Sequence, residues 1–158
     1  MEDYLIEIIF KNINEDALTL FLETTTSRNN VKNYSTTTEC REIDLTKRQS
    51  ITLFLRQSEE LGLFLNFETL KYEGFTLPKC GIAIYKSATT INMEINFQTS
   101  DLEKNQRKDL PEKLLAFAQS IATAYQIKNY YCGIEPAADQ EGRVFTNGVL
   151  TPLSKVMF

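Results

Sequence analysis

Residues 91–97 alternate strictly between apolar and polar side chains, and this pattern constrains the fold more than any other stretch of the chain. The apolar side chains are Ile91, Met93, Ile95 and Phe97, and the polar ones are Asn92, Glu94 and Asn96. Because successive side chains of a strand point to opposite faces of a sheet, one face of this strand is predicted to be buried and the other wetted. That division is typical of antiparallel sheets. A second strand is predicted over residues 81–85, joined to the first by a short hairpin at residues 87–90.

Apolar residues at helical spacing predict helices among the remaining strands. The first helix is short and follows the polar residues 12–16. The second helix starts with a capping box at Thr46 and stops at Gly62. The third helix starts at Asp109 and covers residues 111–127. Further strands are predicted over residues 5–10, 31–44, 63–67 and 130–134, loops over 72–74, 77–78 and 101–108, and either a short strand or a packed loop at 144–145.

The order of these elements predicts an α+β fold that forms a single globular domain over residues 1–158. We expect a mixed or mainly antiparallel sheet with about three helices packed mostly on one face. A doubly wound α/β fold is disfavoured because the chain has no glycine-rich turn between a strand and a helix. Composition agrees with one soluble domain, since 42% of the residues are hydrophobic and 24% are charged.

The charge balance limits the classes of partner. The chain carries 21 acidic and 17 basic residues and a net charge of −4, so it repels phosphate backbones and a nucleic-acid partner is not expected. A basic protein partner would suit this surface. No apolar segment reaches the length of a membrane span, and Glu2 and Asp3 stand where a basic leader would lie, so we expect no membrane association and a cytoplasmic location. The three widely spaced cysteines, Cys40, Cys80 and Cys132, predict reduced thiols rather than a disulfide framework.

The complete absence of histidine excludes several catalytic classes. Within one chain, neither a Ser-His-Asp triad nor a Cys-His pair can form, and the commonest metal ligand is missing. Neither of the glycine-rich phosphate-binding motifs, G-x-x-x-x-G-K and G-x-G-x-x-G, is present. We therefore expect no cofactor and no metal.

Residues 130–143 are the candidate functional segment, because a predicted strand here runs into a polar loop. The candidate binding residues are Tyr130, Tyr131, Glu135, Asp139, Glu141 and Arg143. If residues 130–134 form a strand, the Tyr130 side chain shares a face with Cys132, and the Tyr131 side chain lies on the other face. Tyrosine is over-represented at binding hot spots, so an exposed Tyr131 could anchor a partner. The alternative is that both tyrosines cover the core.

The carboxylates of this loop allow different chemistries. Two of them could share a pocket as acid and base, with Arg143 holding an anion, which would give a hydrolase or lyase. They could instead hold a divalent cation, or form only a solvated turn with Glu135 or Asp139 paired to Arg143. Cys132 is expected to be a buried strand residue rather than a nucleophile, because no histidine can activate its thiol.

A non-enzymatic protein-binding module is the preferred functional prediction. A small, acidic, aromatic-rich chain without catalytic motifs resembles bacterial immunity proteins in general character; these neutralise a partner toxin by binding it. The resemblance is one of type, so it transfers no residue roles. It implies electrostatic steering by the acidic surface followed by anchoring through tyrosines. The alternatives are the carboxylate-dependent hydrolase or lyase that uses residues 135–143, and a homo-oligomeric structural protein that associates through an exposed sheet face.

Overall fold

The computed structural model describes residues 2–38 and 42–156. Within them the strands are β1 (Leu5–Lys11), β2 (Val31–Thr36), β3 (Leu61–Tyr72), β4 (Phe75–Lys86), β5 (Ile91–Gln98), β6 (Asn129–Ile134), β7 (Arg143–Thr146) and β8 (Val149–Leu150). The helices are α1 (Glu15–Arg28), α2 (Arg48–Arg56), α3 (Lys104–Arg107) and α4 (Leu110–Ala124).

The eight strands of the described residues form one sheet in the order β2-β3-β4-β5-β1-β6-β7-β8. Every neighbouring pair is antiparallel. β1 is central because it pairs with β5 on one side and β6 on the other: Ile8 lies opposite Ile95 and also opposite Cys132. The first strand of the chain therefore joins a meander, β2 to β5, to the C-terminal strands.

One side of the sheet carries the hydrophobic core. Ile6, Ile8 and Phe10 of β1 are fully buried, and the alternating apolar residues of β5 are buried beside them. α1, α2 and α4 contribute Leu22, Leu55 and other buried side chains to the same core cluster. The helices thus cover the side of the sheet on which the apolar half of each alternating strand lies.

The opposite side of the sheet is partly exposed, and we call it the open face. Its side chains come from the intervening positions of the strands and include Glu7, Ile9, Lys11, Phe64, Asn66, Ala83, Tyr85, Asn92, Glu94, Asn96 and Tyr131. The wetted half of residues 92–96, which the alternation predicts, lies on this face.

The predicted sheet class is wrong. A mixed or mainly antiparallel sheet with about three helices was expected, whereas the described residues form a wholly antiparallel, sheet-dominated fold of eight strands with four helices. Local patterns identify strands but do not reveal how many of them pair into one sheet. Residues 144–145, which fitted either a short strand or a packed loop, lie in β7 (Arg143–Thr146), which extends the sheet.

The loop predicted at residues 72–74 and 77–78 is instead the middle of a long hairpin. β3 and β4 are each 12 residues long, and Tyr72 lies opposite Phe75. The two connecting residues, Glu73 and Gly74, both have positive φ (44° and 80°), as a tight I′-type hairpin turn requires. Pro78 is tolerated because it lies outside residues 81–86, the part of β4 that pairs with β5.

The second predicted helix is shorter than expected, and its predicted cap is wrong. α2 starts after Lys47, which makes no capping hydrogen bond with its side chain, and ends at Arg56. Gly62 lies in β3, where its N–H donates to the Thr37 hydroxyl at 2.7 Å. The predicted strand over residues 31–44 extends only to Thr36, and residues 39–41 lie outside the described residues.

None of the helices in the described part of the chain has the length and apolarity needed to cross a bilayer. Cys80 and Cys132 are free and buried, and burial raises the pKa of the Cys80 thiol to about 12 and that of the Cys132 thiol further. Both thiols therefore stay protonated and packed. Cys40 lies outside the described residues.

Candidate functional site

The two tyrosines of β6 have different environments. Tyr130 is only 8% exposed, and its ring packs 6.2 Å from the ring of Phe10 and 6.2 Å from that of Phe145, measured between centroids. Tyr131 points to the open face and is half-buried. Strand alternation therefore places one candidate residue in the core and leaves the other available to a partner.

Arg143 connects Tyr131 to the loop at residues 135–142. Its guanidinium carbon lies 4.1 Å from the centre of the Tyr131 ring, within cation–π range. Its Nε donates to the carbonyl of Ala137 at 3.1 Å, and its Nη2 donates to that of Ala138 at 3.2 Å. These contacts fix the ring and the loop relative to each other. Arg143 can do this because the first residue of β7 lies opposite Gly133 of β6.

Glu7 holds the same loop from the other side. Its Oε2 accepts a hydrogen bond from the Ala137 amide at 2.9 Å, and Ala137 is fully buried. The Glu135 amide also donates to the carbonyl of Leu5 at 3.0 Å, which continues the pairing of β6 with β1. The loop is thus anchored to β1 and β7 and lies against the end of the open face.

Gly133 permits the close approach of this loop. A Cβ atom at this position would lie 2.7 Å from the Gly142 carbonyl oxygen and 3.2 Å from the Cα of Arg143. The pairing register of β6 with β7 shifts between Cys132 and Gly133. The backbone that positions Arg143 therefore requires a residue without a side chain.

The three loop carboxylates do not form a pocket. Glu135, Asp139 and Glu141 are all exposed. Among the described residues none of them pairs with Arg143, whose hydrogen bonds go to backbone carbonyls. A carboxylate acid–base pair needs a desolvated site, which this arrangement does not provide. No group of three or more His, Cys, Asp or Glu residues in the described ranges is placed to hold a metal ion.

The structure adds a residue that the sequence did not connect with this segment, Glu94. Ile9 of β1 lies opposite Glu94 on one side and Tyr131 on the other, so all three belong to one cross-strand row on the open face. The pKa of Glu94 is raised, chiefly because the half-buried carboxyl is desolvated and also because Glu7 and Glu135 repel its charge. A hydrogen bond from Asn96 Nδ2 at 3.1 Å opposes this shift.

Two further aromatic residues lie beyond Glu94 on the open face. The rings of Phe64 and Tyr85 meet edge to face, with their centroids 5.7 Å apart, and Tyr85 is 48% exposed. Burial raises the pKa of Tyr85, and the charges of Glu94 and Glu7 raise it further. The open face therefore carries aromatics on both sides of an acidic centre. The alternation of residues 91–97 could have revealed Glu94, but not its neighbours on β1 and β6.

These features define a class, a protein-binding module built on one antiparallel sheet with an aromatic and acidic open face. The model of the PABL017 Cdi1I immunity protein family matches residues 4–149, so the chain belongs to this family. The predicted function, a protein-binding module of immunity type, is confirmed, and with it the expectation of a protein partner.

The fold is similar to that of a chain in the 1.75 Å crystal structure of the toxic C-terminal tip of CdiA from Pseudomonas aeruginosa in complex with immune protein. The TM-score is 0.80, the sequences are 23% identical, and the match covers 96% of this chain and 99% of that chain. At this identity the likeness shows the fold. No match was found among curated proteins.

Proposed function

We propose that this chain protects the cell that makes it by binding the toxic C-terminal tip of a CdiA-type protein in the cytoplasm. The observation that carries this proposal is the family match over residues 4–149, which runs from before β1 to the start of β8. The fold shared with a chain of the CdiA complex supports it. The free, buried thiols of Cys80 and Cys132 suit a reducing compartment.

The segment from Tyr131 to Arg143 is proposed as part of the contact. Tyr131 is an aromatic anchor whose ring is already held by Arg143, so little side-chain entropy is lost when a partner packs on it. Glu135, Asp139 and Glu141 are exposed on the loop that Arg143 and Glu7 hold in place. Tyr130 is assigned a supporting role, since it packs beneath this segment on Phe10 and Phe145.

Neutralisation by binding requires affinity rather than bond-making. The net charge of −4 and the exposed loop carboxylates attract a basic partner over several ångströms, which accelerates association. Aromatic contacts then slow dissociation, and dissociation rates decide most differences in affinity between related complexes. A basic toxin tip is therefore the proposed partner, and added salt should slow association.

The test is co-expression with the C-terminal tip of a CdiA-type protein taken from the genome that encodes this chain. We expect the chain to restore growth of cells that produce the tip, and the purified proteins to elute together at a defined stoichiometry. An unrelated toxin tip serves as the control for specificity. A tip that stays toxic and elutes separately from the folded chain would overturn the proposal.

A further inference from the structure

The open face is not partnered by the helices, because α1, α2 and α4 bury their apolar residues on the other side of the sheet. Within the described residues, the loop at residues 135–142 lies against one end of this face, through the contacts of Ala137. Thr37 lies beside Gly62, where its Cγ2 is 3.0 Å from the position that a Cβ would take. Phe64, Tyr85 and Tyr131 are partly exposed aromatics on this face. Aromatic side chains left at a surface are typical of interface cores rather than of rims.

The negative charge at the centre of this face is not compensated. Among the described residues, Glu7, Glu94 and Glu135 form no salt bridge. By register, the nearest cations are Lys11, which follows Ile9 by two residues on β1, and Arg143, whose donors are used by loop carbonyls. Lys11 forms no salt bridge within the described residues. The Glu94 carboxylate accepts a hydrogen bond from the Asn96 amide, which is neutral. A cation supplied from outside would satisfy a charge that the chain itself leaves unpaired.

Folding does not explain why position 94 carries a charge. A glutamine there could accept the same hydrogen bond from Asn96 without placing an ionised group beside Glu7 and Glu135. The carboxylate is half-buried, so its ionisation opposes the folded state. A charged residue that lowers the stability of the free protein is expected where it stabilises a complex.

We propose that the open face is the docking surface for the toxin tip and that the partner seats a lysine or arginine side chain against Glu94, between Tyr85 and Tyr131. This inference rests on the proposed function and extends the contact from residues 131–143 across β1 and β5 to β4. The acidic centre supplies the counter-charge, and the flanking tyrosine rings supply apolar and cation–π contact for the stem and head of the basic side chain.

Charge also argues against other occupants of this face. A membrane surface or a nucleic acid would present phosphates to Glu7, Glu94 and Glu135 and be repelled. A second copy docked symmetrically on the same face would bring two sets of these acids together, since a two-fold interface joins identical patches. A basic protein surface is the occupant that fits.

The experiment is calorimetric titration of the toxin tip into wild-type chain and four variants. Glu94→Gln and Tyr85→Ala change the open face, and Glu112→Gln and Leu53→Ala are matched controls. Glu112 is exposed on α4, and Leu53 is 73% exposed on α2. We expect the dissociation constant to rise about 10- to 100-fold for each open-face variant and less than about 3-fold for each control. Glu94→Gln should also reduce the salt dependence of binding.

The outcomes separate this inference from the proposed function. If wild-type chain does not bind the tip, the proposed function fails and the docking surface fails with it. If wild type binds and Glu94→Gln and Tyr85→Ala bind equally well, only the docking surface is overturned. It is also overturned if light scattering finds a wild-type dimer that Tyr85→Ala dissociates, because the occupant would then be a second copy.

Discussion

The Arg143 guanidinium lies over the Tyr131 ring, 4.1 Å from its centre, and donates hydrogen bonds to the carbonyls of Ala137 and Ala138. One side chain of β7 therefore fixes both an aromatic residue of the open face and the loop beside it. The candidate site is preorganised by an element whose strand character the sequence left undecided. Preorganisation of this kind lowers the entropy that binding must overcome.

Arg143→Ala should loosen the loop at residues 135–142. Removing two charge-assisted hydrogen bonds and the contact with Tyr131 is expected to lower the free energy of unfolding by about 1–3 kcal/mol. Amide exchange at Asp139 and Gly142 should accelerate, as measured by mass spectrometry or NMR. Arg143→Lys keeps the charge but not the planar fork, so it should restore only part of the loss. Unchanged exchange and stability in Arg143→Ala would show that the loop is held by other contacts.

Glu94→Gln should stabilise the free protein in a pH-dependent way. The pKa of Glu94 is raised in the folded state, so the folded protein holds this proton more tightly than the unfolded chain does. Its contribution to stability is therefore present at low pH and is lost as the pH rises through the folded pKa. At about pH 7 the free energy of unfolding of the variant should exceed that of wild type by about 0.5 kcal/mol; the difference is small because solvent screens a half-exposed carboxyl. At about pH 3 the two proteins should be equally stable.

Urea unfolding at both pH values checks this, with Glu112→Gln as the control. Glu112 lies in the first turn of α4, where a negative charge interacts favourably with the helix dipole. Glu112→Gln should therefore leave the stability unchanged or lower it at neutral pH, whereas Glu94→Gln should raise it. The groups that face Glu94 are Glu7, Tyr85, Asn96 and Glu135. A Glu94→Gln variant that is less stable at neutral pH would contradict the assignment of these repulsions.

Gly133→Ala should destabilise the protein far more than Gly81→Ala. At position 133 the new Cβ meets the backbone of Gly142 at 2.7 Å, and the paired strand would have to move. At position 81 it meets Asn96 Oδ1 at 2.6 Å, the end of a side chain that can rotate away. We expect Gly133→Ala to lower the free energy of unfolding by about 1–3 kcal/mol and Gly81→Ala to lower it by less than about 1 kcal/mol. Thermal denaturation of the two variants measures the difference; equal losses would refute the backbone explanation.

The starts of α1 and α2 offer a matched test of capping. Asn14 Oδ1 accepts from the amides of Asp16 (2.9 Å) and Ala17 (3.4 Å) at the start of α1, whereas Lys47 caps nothing with its side chain at the start of α2. Asn14→Ala should cost about 1 kcal/mol of stability, and Lys47→Ala close to zero. Chemical denaturation resolves this difference. A cost at Lys47 equal to that at Asn14 would rule out side-chain capping as the cause.

Local patterns predicted much of this fold because they report on burial by a sheet or a helix. The alternation of residues 91–97 matches β5, and the apolar stripe at residues 111–127 predicts α4, although the helix already ends at Ala124. Errors arose where one local signal serves two structures. Gly62 could stop a helix, but it lies in β3, where it pairs with Tyr85. A Cβ at this position would lie 3.0 Å from the Thr37 Cγ2, a neighbour distant in sequence.

The missed cap at Thr46 has a local cause. Its hydroxyl and its amide both donate to Asp44 Oδ1, at 2.6 and 3.0 Å, so an Asp44 turn takes the group that a capping box would use.

The candidate site is harder to predict for a topological reason. Glu94 and Tyr131 share a row only because β1 inserts between β5 and β6, and nothing local in those strands indicates that insertion.

Carboxyl footprinting of the chain, free and bound to the toxin tip, shows directly whether the tip covers the open face. Side-chain carboxyls are coupled to an amine under native conditions, and the modified residues are identified by mass spectrometry. We predict that complex formation lowers the labelling of Glu94 and Glu135 and leaves that of Glu59 and Glu112 unchanged. A complex that protects Glu59 or Glu112 and leaves Glu94 and Glu135 labelled as in the free chain would contradict this prediction.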